Sequence, residues 1–190
     1  MDSPVDQISK SLKLWRVRKG WSLDRTSKET GVSKAMLGQI ERGESSPTLA
    51  TLWKIATGFN VSLSSLIEYP SEDEEHAVTL IRDADKIRQV IADDDMLVAP
   101  LYPFDPKVPF EYFELTFPPG YDRPSEAHRP GVIEFLTVTT GAMEILSEEE
   151  WHSVAKGQSI RFHADRPHGY RNLSKEPATA LNVIYYPRIR

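Results

Sequence analysis

Cysteine is absent from all 190 residues. Neither a disulfide framework nor a thiolate zinc site is available, so any metal must be held by histidine and carboxylate. Long apolar runs are missing as well. No segment approaches the roughly 18 consecutive apolar residues of a spanning helix, and the opening MDSPVDQISK lacks the basic stretch and apolar run of a secretory leader. These absences lead us to expect a cytoplasmic protein with no membrane role. There is no repeat at solenoid spacing. The length suits one ample domain or two compact ones, since cores of roughly 60 to 120 residues fold alone.

The net charge of −5 argues against a nucleic-acid partner only until it is divided along the chain. Residues 1–68 hold ten Lys/Arg against seven Asp/Glu, a net of +3, whereas residues 69–190 hold thirteen against twenty-one, a net of −8. Such segregation suggests a mildly basic binding module joined to an acidic partner domain.

The first 68 residues are punctuated in helical lengths. QISKSLKLWRVRKG has apolar residues at Ile8, Leu12 and Trp15 and stops at Gly20. SLDRTSKETG opens on the N-cap candidate Ser22 and stops at Gly31; SKAMLGQIERG opens on Ser33 and ends at Gly43; TLATLWKIATGF follows Pro47 with Thr48 as its cap; SLSSLIEY is a last short turn. Five short helices are expected, with no strand. PSEDEEH then reads as an exposed linker over 69–77. Beyond it, VTLI, QVIA, MLVAPL, EYFELTF, VIEFLTV, MEIL, SIRF and ALNVIYY read as short strands with turns between them, which predicts a β-barrel or sandwich over 78–190.

In LDRTSKETGVSKAMLGQIERGESSPTLATLWKIA one helix ends at Gly31, Val32 plugs the turn and Ser33 starts the next helix at once, a tight helix-turn-helix. Leu23, Val32, Leu37 and Ile40 are its expected core, and Lys34, Ala35, Gly38 and Gln39 are expected away from that face. From about residue 8 to residue 67 the chain resembles the XRE-type helix-turn-helix family, through its TGVS turn, its IERG and its PTLATLWKIA helix. The resemblance implies a recognition helix in the major groove of a double-stranded DNA operator. By position, Ser33, Lys34, Ala35 and Gln39 would face bases or nearby phosphates, and Arg42 and the Ser45–Ser46 loop would face the backbone. The side-chain chemistry agrees, since Gln39 can be bidentate to adenine and Lys34 can donate to guanine, each worth about 1–3 kcal/mol of discrimination. A single module makes few contacts, so a homodimer on half-sites about one DNA turn apart is expected.

The C-terminal part resembles the cupins, small β-barrels marked by two motifs. In GQSIRFHADRPHGYRN, Gly157, His168 and Asn172 stand at motif positions, with His163 in the proline's place and Asp165 in the glycine's. In EAHRPGVIEFLTVTTG, Glu134 and Gly141 keep the glutamate-to-glycine spacing, and His128 takes one histidine place or the other depending on the direction of counting. One ligand is lost, or Glu126 replaces it. The resemblance therefore implies a metal set of His128, Glu134, His168 and Glu126, able to hold one divalent ion such as Zn, Fe, Mn or Ni. Other readings stay open: His128 in a proline-flanked loop also suits solvent, His168 a hydrogen bond at the barrel rim, and Glu134 an arginine partner. Phe113, Leu115 and Phe117 share one strand parity and Leu136 and Val138 that of Glu134, so Phe113, Phe117 and Leu136 are expected to line the barrel around a ligand. Arg123, Arg129 and Arg161 are candidates to clamp a ligand carboxylate. His76 and His152 read as surface histidines, His163 as a residue behind the ligands, and SEEEW as a solvated hairpin turn.

The expected architecture is thus an all-α helix-turn-helix domain (1–68), a linker (69–77) and an all-β cupin barrel (78–190). The pairing resembles one-component transcriptional regulators whose barrel senses a small-molecule effector, and a subgroup concerned with sulfur utilisation in particular, which implies a sulfur-containing amino acid or related metabolite. The competing expectations are a metal-dependent cupin enzyme, a dioxygenase or isomerase, and a protein-interaction module without an effector.

Overall fold

The computed structural model describes residues 4–67, 79–90, 95–105 and 107–187. The chain forms two compact units, a helical one and a β-rich one that takes in Arg82–Val90 and the residues from Asp95 onward. The expected linker over 69–77, its limits at 68 and 78, and His76 lie outside the described residues. No helix among those described is long and apolar enough to cross a membrane.

Among the described residues, the first unit holds five helices: α1 (Pro4–Arg18), α2 (Leu23–Thr30), α3 (Lys34–Glu41), α4 (Leu49–Phe59) and α5 (Ser64–Ile67). Their starts are set by hydroxyl caps. Ser22, Ser33 and Thr48 sit in extended backbone, and each side chain accepts the N–H of the residue three further on, satisfying one of the donors left over at a helix start. Gly31 ends α2 at φ 69°, a left-handed value that costs glycine least, and so turns the chain directly into α3. Leu37, Ile40, Leu52, Phe59 and Leu66 are fully buried, each contributing about 1.5–3 kcal/mol by leaving water. Arg16 clamps α1 to the end of α3 through a two-pronged pair with Glu41, at 2.5 and 2.9 Å. Two core expectations need correction. Leu23 is only half-buried, and Gly38, expected to face outward, is buried. A Cβ at Gly38 would lie 3.1 Å from Arg42 Nη1 and 3.9 Å from Leu23 Cδ1, so the Arg42 side chain and α2 cover this turn of α3.

Among its described residues the second unit holds a short helix, α6 (Ala84–Ile87), and ten strands: β1 (Gln89–Val90), β2 (Leu97–Tyr102), β3 (Phe110–Phe117), β4 (Asp122–Ser125), β5 (Ile133–Thr140), β6 (Ala142–Ser147), β7 (Glu150–Ala155), β8 (Ser159–His163), β9 (His168–Arg171) and β10 (Ala178–Tyr185). They form a six-stranded sheet in the order β1-β2-β3-β10-β5-β8 and a four-stranded sheet in the order β4-β9-β6-β7. The expected barrel is therefore two packed sheets whose hydrogen bonding does not close among the described residues. VTLI is no strand where it is described: residues 79–81 are irregular and Ile81 is 90% exposed. Strands β4, β7 and β9 escape the sequence pattern because DRPS, EWHSVA and HGYR have little apolar alternation; pairing with neighbours, not propensity, makes them strands. SEEEW does form a hairpin turn, with Glu148 and Glu149 at φ 52° and 66°, both left-handed as a two-residue turn of type I′ requires.

The interior follows the period of two. Odd residues of β3 and even residues of β5 and β10 alternate into the core, so Phe113, Phe117, Leu136, Val138 and Ala180 are buried. The last strand, β10, inserts between β3 and β5, with Ile184 opposite both Glu111 and Glu134. That register carries Glu134 into the space between the sheets.

Candidate nucleic-acid interface and metal centre

On α3 the residues expected to read DNA are sorted by the helix itself. Leu37 and Ile40 face the core, and Lys34, Ala35 and Gln39 are exposed. Ser33 Oγ already accepts from Met36 N at 3.2 Å, which leaves only its hydroxyl proton to donate outward. Lys34 pairs with Asp24 at 2.8 Å and Arg42 with Glu44 at 2.6 Å, both in solvent. Exposed pairs of this kind are weak and exchange readily for a phosphate. Ser45 is half-buried with its hydroxyl against Met36 Sδ at 3.8 Å, and Ser46 is half-buried.

In the β unit, His128, Glu134 and His168 converge, each offering one ligand atom, with all three atoms within 4.8 Å of one another. All three residues are buried. His128 is held where the chain enters β5, its N–H donating to Ala164 O at 2.8 Å, while three residues on the Gly131 N–H donates to Asp165 Oδ2 at 2.8 Å. Glu134 lies on β5 and His168 opens β9. His128 Nε2 is 3.0 Å and His168 Nε2 3.6 Å from the same oxygen, Glu134 Oε1. The other oxygen, Oε2, accepts from Tyr170 Oη at 2.6 Å and Asn182 Nδ2 at 2.8 Å.

The proton positions follow from these partners. His168 Nδ1 lies 2.9 Å from Arg166 O, which can only accept, so Nδ1 carries the proton and Nε2 presents a lone pair to the cluster. That Nε2 is buried without a hydrogen-bond partner. Burial holds the His168 pKa below its usual value, with the His128 charge acting the same way against Glu134, so the ring is neutral. Burial alone would raise the Glu134 pKa. The hydrogen bond from His128, the electrostatic attraction of the two histidines and the Tyr170 hydroxyl outweigh it and hold the carboxylate at about 2. Burial and the Glu134 charge push the Tyr170 phenol well above its ordinary value, so it stays a donor. An ionised carboxylate beside a neutral imidazole whose lone pair has no donor is a set that fits a divalent cation.

The remaining candidates divide. Phe113, Phe117 and Leu136 line the interior near the cluster, Phe117 stacking on Tyr170 at 5.8 Å between ring centres. Glu126 is exposed and stays outside the cluster, because the chain bends inward only at His128. Arg123 and Arg161 are exposed, so neither reaches the interior; Arg161 has the parity of Phe135, on the outer face of β5 and β8. Arg129 instead lies over the Tyr186 ring at 4.6 Å. His163 and His152 are exposed. Asn172 is no ligand: its amide donates to Phe117 O and Glu176 O and its oxygen accepts from Ser174, clamping a loop. Tyr170 and Asn182 join the site although neither stands at a motif position treated above as a ligand. A signal existed for each: Tyr170 shares the parity of His168, and Asn182 is the one polar residue in the inward set of β10.

A helix-turn-helix family model (HTH_3) matches residues 12–66, and a cupin domain model (Cupin_2) matches residues 113–184. The fold and these matches define a DNA-binding XRE-type regulator with a C-terminal cupin domain. The chain belongs to the family of HTH-type transcriptional regulators: it is 41% identical over 188 residues, 99% of each chain, to the HTH-type transcriptional regulator SutR of Escherichia coli (strain K12). A solved HTH_3 family transcriptional regulator from Vibrio cholerae is 41% identical, with a TM-score of 0.83 over 98% of this chain and 100% of that one. The regulator PuuR of Escherichia coli (strain K12) is 25% identical over 160 residues, 84% of each chain.

Proposed function

We propose that this regulator is a one-component sensor: a homodimer reads a double-stranded operator through α3, and the cupin unit binds a small-molecule effector that changes DNA affinity. The observation that carries the DNA reading is the row Lys34, Ala35 and Gln39 standing in solvent opposite the buried Leu37 and Ile40. Gln39 and Lys34 read base edges, whereas Arg42 and the Ser45–Ser46 loop meet the backbone and only position the domain. Gln39→Ala is expected to flatten the preference between operator and mismatched duplexes by about 1–3 kcal/mol at one base position. Arg42→Ala is expected to weaken binding to every sequence alike and to lower the salt slope by about one. Equal losses on all duplexes for both variants would remove Gln39 from the groove.

For the cupin unit, His128, Glu134 through Oε1 and His168 through Nε2 would hold one divalent ion, Zn, Fe, Mn or Ni. Such an ion supplies a Lewis-acidic anchor for a donor atom of the effector. Tyr170 and Asn182 keep Oε2 occupied and so orient the carboxylate. Aromatic and apolar walls from Phe113, Phe117, Leu136 and Phe162 suit a sulfur-containing amino acid, since sulfur–aromatic contacts contribute about 0.3–1.5 kcal/mol each. Effector binding shifts operator affinity only by its differential affinity for two states, typically about 5- to 150-fold. Protein purified without added metal or a histidine tag is expected to carry an ion by elemental analysis, and His168→Ala to lose it. A metal-free protein holding a small organic mass would make the same residues a pocket wall instead. The second reading, a cupin dioxygenase or isomerase, draws on the same two-histidine, one-carboxylate set; turnover of a thiol or amino acid with added Fe²⁺ is its test, and the curated relatives named above are regulators.

A further inference from the structure

The outer face of the six-stranded sheet is unlike the rest of the surface. Register places Phe135, Val183, Tyr112 and Tyr102 in one row across β5, β10, β3 and β2. Ile133 and Tyr185 begin the next row. Tyr102, Phe135 and Tyr185 are 39%, 44% and 40% exposed, and Tyr102 and Tyr112 stack at 6.1 Å. Outward positions of a sheet facing only water are ordinarily polar, and this sheet shows that pattern a row away, in the hydrogen-bonded Thr137–Ser159 pair and the Arg88–Glu114 ion pair.

The geometry points to this face as the surface on which a second copy of the chain docks, with β10 at the centre. The inference rests on the reading of the chain as a two-fold operator binder, which needs a second copy somewhere. Three features favour that occupant. Strands about 4.8 Å apart and two rows of large side chains cover on the order of 400 Å², about half of the roughly 800 Å² each partner gives a standard interface and enough for its apolar centre, which a polar rim ordinarily surrounds. The composition, aromatic rings with an arginine beside them, is that of an interface centre. Charge then selects the symmetry. Arg161 lies opposite Phe135, at the β8 side of the patch, and is exposed. A two-fold axis along β10 sets Arg161 over the stacked Tyr102–Tyr112 pair of the other copy, a cation–π arrangement, whereas an axis across the strands sets the β8 side against the β8 side of the other copy, arginine toward arginine.

The absence of cysteine makes the test clean. Full-length protein without DNA is examined by sedimentation equilibrium and is expected to be a dimer. Phe135→Glu combined with Tyr185→Glu is expected to weaken the dimer by about 100-fold or more, with metal content and circular dichroism unchanged, because two charges would be buried at its centre. Facing sheets lie about 10 Å apart, so Val183→Cys is expected to yield linked dimers with a short bismaleimide, while Ser153→Cys, on β7 of the other sheet, is expected to yield none. A monomeric wild type, or a double variant that remains dimeric with Val183→Cys uncrosslinked, would overturn the assignment. Efficient crosslinking through Val183→Cys in a protein that binds no duplex would instead sink the operator reading and leave the interface standing.

Discussion

Glu134→Ala is expected to cost the metal-free β unit about 3–5 kcal/mol, the largest effect of any single change considered. The carboxylate is fully buried and is the common acceptor for His128 Nε2, Tyr170 Oη and Asn182 Nδ2. Removing it strands three donors in the interior, each at about 1–3 kcal/mol, and removing one partner of a buried charge set is costly because the others remain. Denaturant unfolding followed by tryptophan fluorescence reads the loss. Glu134→Gln separates the two roles of the side chain. It keeps a carbonyl oxygen that can accept from Tyr170 and Asn182 but loses the charge, so it should abolish metal retention while giving back most of the stability. If Glu134→Ala unfolds at the wild-type denaturant concentration, the convergence on Oε2 is not what holds β5, β9 and β10 together at this point.

The second large effect is expected at a glycine inside α4. Alanine is normally the better helix residue by about 1 kcal/mol. At Gly58, however, an added Cβ would lie 2.6 Å from Thr30 Cγ2, 2.7 Å from Thr30 Cα and 2.8 Å from Glu29 O. Two of those three atoms are backbone at the end of α2. Thr30 is itself pinned, its hydroxyl donating to Thr26 O at 2.8 Å and accepting from Val32 N at 3.2 Å. Neither neighbour can step aside without moving α2, so the overpacking falls at the upper end of its usual range, about 3 kcal/mol, and outweighs the propensity gain. The net loss of about 2 kcal/mol corresponds to roughly 10 °C in the melting of a domain this small. Because α2 leads through Gly31 into α3, operator affinity should fall as well, without any change at a DNA-facing residue. A Gly58→Ala protein that melts at or above the wild-type temperature would show that α2 and α4 pack less closely than these distances state.

The two glycines inside helices illustrate how legibility in the sequence divides. Gly31 was readable as a stop because its role is local: a left-handed residue between a helix and the next cap. Gly58 was not, because its reason is the approach of α2, and nothing within four residues announces it. Gly38, expected to face outward, is buried beside the Arg42 side chain one turn further on and Leu23 of α2. The metal candidates divide in the same way. His128, Glu134 and His168 were found through motif spacing, which reflects where β5 and β9 begin. Glu126 satisfied a spacing too, but the bend that turns His128 inward leaves Glu126 in water. Arg123 and Arg161 were plausible clamps by residue type alone, and both prove exposed.

What the amino-acid order determined by itself is the content of short range: three hydroxyl caps, the Gly31 turn, the five helices among the described residues 4–67, the charge division between the two ends, and the inward parity of Phe113, Phe117 and Leu136. Each of these depends on interactions within a few residues, or on a period of two or 3.6 that a single strand or helix already carries. Only the tertiary structure decided that Tyr170 and Asn182, 36 and 48 residues beyond Glu134, share its second oxygen, and that the outer side of β10 is aromatic across its neighbours. The reason is that parity says which residues share a face, whereas strand order says which faces meet. The order β3-β10-β5 is set by burying the last strand between two earlier ones, a long-range choice that no local pattern encodes.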